Sequence, residues 1–181
     1  MSVILETERL LLRPPRAADI SHFMPLINDF EVSQNLSRVP YPYTEDDACA
    51  FIVKVPQGPA AGTDYTFAIL LKAAGIFIGM CGIHPAQDWE LGYWLGRPYW
   101  GRGYATEAGR RVMNFAFEDL KAETLNAGWF HDNPASGRVL AKLGFQPAGE
   151  AERSCLSRGG PVACHLVALD RATYMTRKKA L

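Results

Sequence analysis

Between residues 89 and 119 the hydrophobic period of the chain changes once, and it does so across two glycines. Trp89-Glu90-Leu91-Gly92-Tyr93-Trp94-Leu95 is an aromatic-rich run that reads as a strand. From Gly103 to about Asp119, Ala105, Ala108, Val112, Phe115 and Ala116 fall on one face at 3.6-residue spacing, so that stretch reads as an amphipathic helix. Residues 124–130 read as a strand again. A strand, a glycine turn, a helix and a second strand form a right-handed crossover unit, which lays the two strands parallel. Few arrangements satisfy that unit together with what precedes it.

What precedes it is antiparallel. Residues 65–72, 76–83 and 89–95 are three strands joined by short connections, the first of them Ala73-Ala74-Gly75. Upstream, residues 9–13 read as a strand closed by Pro14 and Pro15. Residues 16–28 read as a helix that Pro25 should disturb, because a mid-helix proline loses a hydrogen bond and crowds the previous turn. Residues 30–43 are irregular. Thr44 with Asp47 resembles a capping box opening a helix over 44–55, and 56–63 is a loop. Downstream come a short helix over 134–142 and strands over 145–153 and 161–168. The order β-α-α-β-β-β-α-β-α-β-β predicts a mixed α/β fold: one mostly antiparallel central sheet with a locally parallel pair and helices on both faces. With 181 residues and no linker or repeat, residues 1–181 are expected to form one domain.

Lys plus Arg equals Asp plus Glu, at 19 each, so no basic face argues for nucleic acid as a partner. The four cysteines form no CxxC pair and have no histidine at zinc spacing, so no metal is expected. They read as reduced thiols of a cytoplasmic protein. The start of the chain has no basic-then-apolar signal pattern, and no stretch approaches the ~20 apolar residues of a membrane span.

In Tyr99-Trp100-Gly101-Arg102-Gly103-Tyr104-Ala105-Thr106-Glu107-Ala108 the two glycines let the backbone turn and present consecutive N–H groups at a helix N-terminus. That is an anion site suited to a pyrophosphate. A turn that binds nothing is the competing reading. A P-loop is excluded because GxxxxGK[ST] is absent, and a dinucleotide fingerprint because Thr106 stands where its third glycine belongs.

The motifs resemble those of the GNAT acetyltransferases, in the branch of the ribosomal-protein N-terminal alanine/serine acetyltransferases. That branch shows E-L-G-Y-W-L-G, then Y-W-G-x-G-Y-A-T-E-A, then a helix, D-N-P-A-S and K-L-G-F. Here they stand at residues 90–96, 99–108, 132–136 and 142–145, behind Glu6-Thr7-Glu8-Arg9-Leu10. The resemblance implies acetyl-CoA as co-substrate, in a cleft where the parallel strands splay apart. It assigns the pyrophosphate to Trp100, Gly101, Arg102, Gly103, Tyr104, Ala105 and Thr106, the pantetheine arm to the strand at Tyr93, Trp94 and Leu95, and a hydrogen bond to Asn133.

Acetyl transfer to an amine needs a neutral nucleophile, a stabilised oxyanion and a tolerated thiolate. Glu90, a carboxylate among Trp, Leu, Gly and Tyr, is the expected base, and a salt-bridged strand glutamate is the alternative. The resemblance places a backbone N–H near Leu95 at the oxyanion. The family's usual acidic Tyr falls at Leu140, so Ser136 is expected at the sulfur instead, with helix capping as its competing role. His84 and Tyr41 are expected to line the acceptor pocket, with His84 a possible second base. Acceptor contacts are expected from the first two helices, residues 30–43 and the hairpin near 155–162. The acceptor is a protein N-terminus or a small amine, and relatives often form homodimers. A non-catalytic acyl-CoA-binding module of the same fold is the rival reading.

Overall fold

Alternation builds the strands. In Leu10–Arg13 (β2), Leu10 and Leu12 are fully buried while Leu11 and Arg13 are half-buried, the period of two expected of a strand. The computed structural model describes residues 3–55 and 62–179. Its other strands are Leu5–Glu6 (β1), Tyr65–Leu71 (β3), Ile76–Pro85 (β4), Trp89–Leu95 (β5), Thr124–Phe130 (β6), Gln146–Cys155 (β7) and Gly160–Asp170 (β8). They form one sheet in the order β1-β2-β3-β4-β5-β6-β8-β7. Every neighbouring pair is antiparallel except β5 and β6.

The helices are Ile20–Ile27 (α1), Phe30–Ser33 (α2), Glu45–Lys54 (α3), Tyr104–Glu118 (α4), Pro134–Leu143 (α5) and Arg171–Lys179 (α6). Helix α1 keeps Pro25 inside it and is preceded by a 3-10 turn at Ala17–Asp19, which shortens the helix expected over 16–28. Thr44 caps α3 as expected: its hydroxyl accepts from the Asp47 N–H, and the Asp47 carboxylate accepts from the Thr44 N–H. The expected order lacked β1, α2 and α6. Residues 56–61 of the expected loop at 56–63 lie outside the described residues.

Each face of the sheet has its own core. Leu10, Leu12, Phe67, Ile69, Leu91 and Leu95 pack with Val112 and Phe115 of α4. On the opposite face Ala68, Leu70, Phe77 and Met80 pack with Phe23 and Ile27 of α1 and Ala48 of α3. Strand β4 carries a bulge: Ile69 pairs with Gly79 and Leu70 with Phe77, so Ile78 is the extra residue.

Arg13 and Asp19 pin the start of α1 to β2. Both guanidinium nitrogens donate to the carboxylate at 2.7 Å, and the Arg16 N–H donates at 2.8 Å. Burial opposes ionisation of Asp19, but these donors and the Arg13 charge more than offset it and hold the group below its usual 3.8. A depressed carboxylate stabilises the fold above its unfolded pKa and loses that contribution as pH falls through the folded value. Asp19→Asn should therefore cost about 3 kcal/mol at neutral pH, because it leaves Arg13 buried without an anion. Urea unfolding should show the gap from wild type closing below about pH 4.

Candidate active site

Strands β5 and β6 are paired only at Trp89–Leu125 and Glu90–Asn126. Beyond that point β5 keeps its partner β4 as far as Leu95–Gly79, and β6 keeps β8 as far as Phe130–Cys164. A gap therefore opens inside the sheet. The Gly96 N–H donates to the Ile78 carbonyl at 2.9 Å, which fixes the parity of the β4–β5 ladder. Backbone groups of Glu90, Gly92 and Trp94 point at β4, and those of Tyr93 and Leu95 point into the gap. The strand expected to hold a pantetheine arm thus offers Tyr93 and Leu95. The Trp94 backbone is committed to Met80, and the Trp94 ring packs against Phe77 on the α1 face.

At the end of β5 the chain turns through Arg97–Tyr99 into the glycine loop. Trp100 Nε1 donates to the Leu95 carbonyl at 2.7 Å and so closes the loop back on the strand. Gly101 and Gly103 have φ of 71° and 80°, a region where side chains are strained. Gly101, Arg102 and Gly103 are exposed. Tyr104, Ala105 and Thr106 are half-buried in the first turn of α4, whose N-cap is Gly103. This arrangement suits an anion held by backbone N–H groups.

An acid stands beside that loop. The Glu107 carboxylate accepts from Thr7 Oγ1 at 2.5 Å, the Arg9 N–H at 3.0 Å and Arg9 Nε at 2.7 Å. Arg9 also donates to the Arg102 carbonyl at 3.1 Å and lies 4.6 Å from the centre of the Tyr104 ring. Burial works against the charge on Glu107, yet these donors hold its pKa below the ordinary value. Thr7, Arg9 and Glu107 are not among the site residues that the motifs indicate. The available signal was electrostatic, since an acid in the first turn of an anion-binding helix needs a cation close by.

The other wall belongs to α5. Asn133 is its N-cap and accepts from the Ser136 N–H at 3.2 Å, so capping is the role of Asn133 and not of Ser136. Ser136 Oγ lies 2.8 Å from the Tyr93 hydroxyl. Burial raises the Tyr93 phenol well above its usual range, although the Ser136 contact partly opposes this. Leu140, where the family's tyrosine was looked for, is buried. A tyrosine hydroxyl reaches the same neighbourhood from β5 instead.

On the α1 face, Glu90 is held. Arg153 of β7, which lies beyond β6 and β8 in the sheet, donates to both carboxylate oxygens, at 2.5 and 3.0 Å. The expectation of Glu90 as a waiting base thus meets its own alternative, the salt-bridged glutamate. His84 lies opposite Glu90 in the β4–β5 ladder, and its Nδ1 is 2.9 Å from Asp64 Oδ2. Tyr41 is exposed and lies edge-on to Phe30, with ring centres 5.1 Å apart.

Two of the segments expected to meet the acceptor, residues 30–43 and the hairpin near 155–162, touch each other. The Leu156 N–H donates to the Ser37 carbonyl, Arg158 Nε to that of Gln34 and Ser157 Oγ to that of Ser33. Asn35, Ser37, Trp129, Phe130, Arg153 and Cys164 line a small hollow beside that seam. A larger hollow of about 500 Å³, lined by Asp88, Leu120 and Thr124 among others, lies at the opposite end of β5 and β6, away from these groups. Among the described residues no cluster of three or more His, Cys, Asp or Glu could hold a metal ion, and no helix is long and apolar enough to cross a membrane.

Comparison with known proteins agrees with this geometry. The chain is similar to the uncharacterized N-acetyltransferase p20 of Bacillus licheniformis, 27% identical over 174 residues that cover 94% of this chain and 97% of the relative. Its fold matches the GNAT-family acetyltransferase from Bacillus anthracis at a TM-score of 0.82 and 21% identity, covering 94% of this chain and 99% of that one. It matches equally the ribosomal L7/L12 alpha-N-protein acetyltransferase RimL, solved in complex with coenzyme A, at a TM-score of 0.82 and 15% identity, covering 94% and 99%. The family model described as the acetyltransferase (GNAT) domain matches residues 9–146. The chain therefore belongs to the GNAT acetyltransferase family.

Proposed function

We propose that this N-acetyltransferase moves the acetyl group of acetyl-CoA directly onto a primary amine, at a peptide N-terminus or on a small molecule. The observation that carries this reading is the gap between β5 and β6, which places two open backbone edges directly behind a glycine loop. In this reading the N–H groups at residues 101–106 bind the pyrophosphate. Tyr93 pairs with the pantetheine amides, as a neighbouring strand would. The Asn133 side-chain amide donors remain for the same arm, since its cap uses Oδ1. Direct attack needs no covalent enzyme intermediate, because the thiol of coenzyme A is a fair leaving group. The Leu95 N–H, facing the gap, stabilises the oxyanion.

The Tyr93–Ser136 pair protonates the departing sulfur. A serine hydroxyl is a weak acid alone, and the phenol at 2.8 Å supplies it with a second donor. Tyr93→Phe should lower kcat about tenfold, less than the ~100-fold of a sole acid because Ser136 remains. The KM for acetyl-CoA should change little.

Calorimetric titration with coenzyme A, paired with thiol release against a panel of amines and N-terminal peptides, tests the whole reading. Binding together with turnover on an amine supports it. Binding without turnover on any amine would instead make the chain an acyl-CoA-binding module.

A further inference from the structure

Resting on the acetyl-transfer reading, we propose that His84, oriented by Asp64, is the general base that takes the proton of the acceptor amine, and that Glu90 is a positioning residue clamped by Arg153. Three observations carry this.

The first is the fixed ring of His84. Asp64 Oδ2 accepts from Nδ1 at 2.9 Å, and Thr66 Oγ1 donates to Asp64 Oδ1 at 2.9 Å. A proton held on Nδ1 leaves Nε2 with its lone pair, the tautomer a base requires.

The second is where Nε2 points. A methyl group built on Gly92 would lie 3.5 Å from it. Gly92 adjoins Tyr93, whose backbone faces the gap, and the missing side chain leaves the space over the strand open. An amine entering the gap from this face reaches Nε2 directly or through one water.

The third is the occupancy of the alternative. Both oxygens of Glu90 are held by one guanidinium, and this pair ties β5 to β7. Protonating Glu90 would break a bidentate ion pair.

The base and the acid then lie on opposite faces of the sheet. His84, Glu90 and Trp94 face α1, whereas Tyr93 turns toward α4 and α5, where it meets Ser136. Amine and thioester approach the gap from opposite sides. His84 Nε2 takes one proton from the ammonium, and the freed nitrogen pair forms the C–N bond. The thioester carbonyl electrons move to oxygen and return as the C–S bond breaks. The second nitrogen proton ends on sulfur by way of the Tyr93–Ser136 pair, and coenzyme A leaves as its thiol. His84 afterwards releases its proton to water.

The charged groups facing this dyad are Asp64 itself, Glu90 across the ladder, Arg153 on Glu90, and Arg38, whose charge acts on Asp64. The test measures kcat and kcat/KM for the acceptor from about pH 6 to 9, alongside coenzyme A titration. His84→Gln should lower kcat about 100-fold, keep coenzyme A affinity within about twofold and abolish the rising limb of the profile. Asp64→Asn can present an amide N–H to Nδ1 and favour the wrong tautomer, so kcat should fall about tenfold or more while coenzyme A affinity stays within about twofold, a kcat-only loss that a merely structural role would not give. Glu90→Gln should keep the wild-type limb. Turnover by His84→Gln within about threefold of wild type, or loss of the limb in Glu90→Gln alone, overturns the assignment of His84 and leaves acetyl transfer standing. A wild-type protein that binds coenzyme A but acetylates no amine overturns both.

Discussion

Replacing Gly79 by alanine should destabilise the protein by more than about 3 kcal/mol. A methyl group there would fall deep inside the Trp94 carbonyl oxygen, 2.8 Å from Leu95 Cα and 2.9 Å from Leu95 Cδ2. The first two are backbone atoms in the middle of the sheet, so no rotamer relieves the clash. Gly79 pairs directly with Leu95 in the β4–β5 ladder, next to the bulge that Ile78 makes against β3. Gly160→Ala is the control. Nothing lies within 4 Å of its added carbon, and its stability should stay within about 0.5 kcal/mol of wild type. Urea unfolding of the two variants decides the matter, and equal midpoints would refute the packing argument. Any folded fraction of Gly79→Ala should also bind coenzyme A poorly, since Leu95 is displaced at the gap.

Gly103→Val should raise the KM for acetyl-CoA about 100-fold, the equivalent of losing two hydrogen bonds to a charged group. The backbone at Gly103 has φ of 80°, a conformation that costs a branched side chain about 1–2 kcal/mol or more. The loop would relax toward negative φ and turn its N–H groups away from the pyrophosphate. The added carbon would also sit 3.4 Å from Arg9 Nη2 and disturb the arginine that ties the loop to Glu107. The kcat at saturating acetyl-CoA should change far less, because the proposed acid and base stand on other elements. Calorimetry with coenzyme A provides the direct measurement. Unchanged affinity would mean that the loop N–H groups do not carry the pyrophosphate.

Much of this was legible in the sequence where local signals and tertiary demands agree. Residues 89–95 and 124–130 are strands with the bounds their composition suggests, and the Thr44–Asp47 box opens α3. The missed elements are those that local preference does not make. Helix α6 buries only Tyr174. Tertiary contacts hold it in place: Tyr174 stacks on Phe117 at 4.5 Å, Arg171 donates to the carbonyls of Phe117 and Ala122, and Lys178 pairs with Glu118. The candidate site divides the same way. The glycine loop announced itself through residue type. The pairings Glu90–Arg153, His84–Asp64, Tyr93–Ser136 and Arg9–Glu107 join distant parts of the chain, and no spacing rule encodes them. The tyrosine sought at Leu140 shows the limit most clearly, because the fold brings a hydroxyl to Ser136 from a strand far away in sequence.

The parting of β5 from β6 has a consequence for how such a protein can change. Recognition by an open strand edge uses N–H and C=O groups, and every residue but proline carries both. If the donor binds there as proposed, its half of the site is written in the path of the chain, and most substitutions leave it readable. In the proposed reading the other half is written in a few side chains, His84, Asp64, Glu90 and Arg153 among them, each open to replacement one at a time. A lineage built this way can drift from one amine to another while its use of the thioester persists.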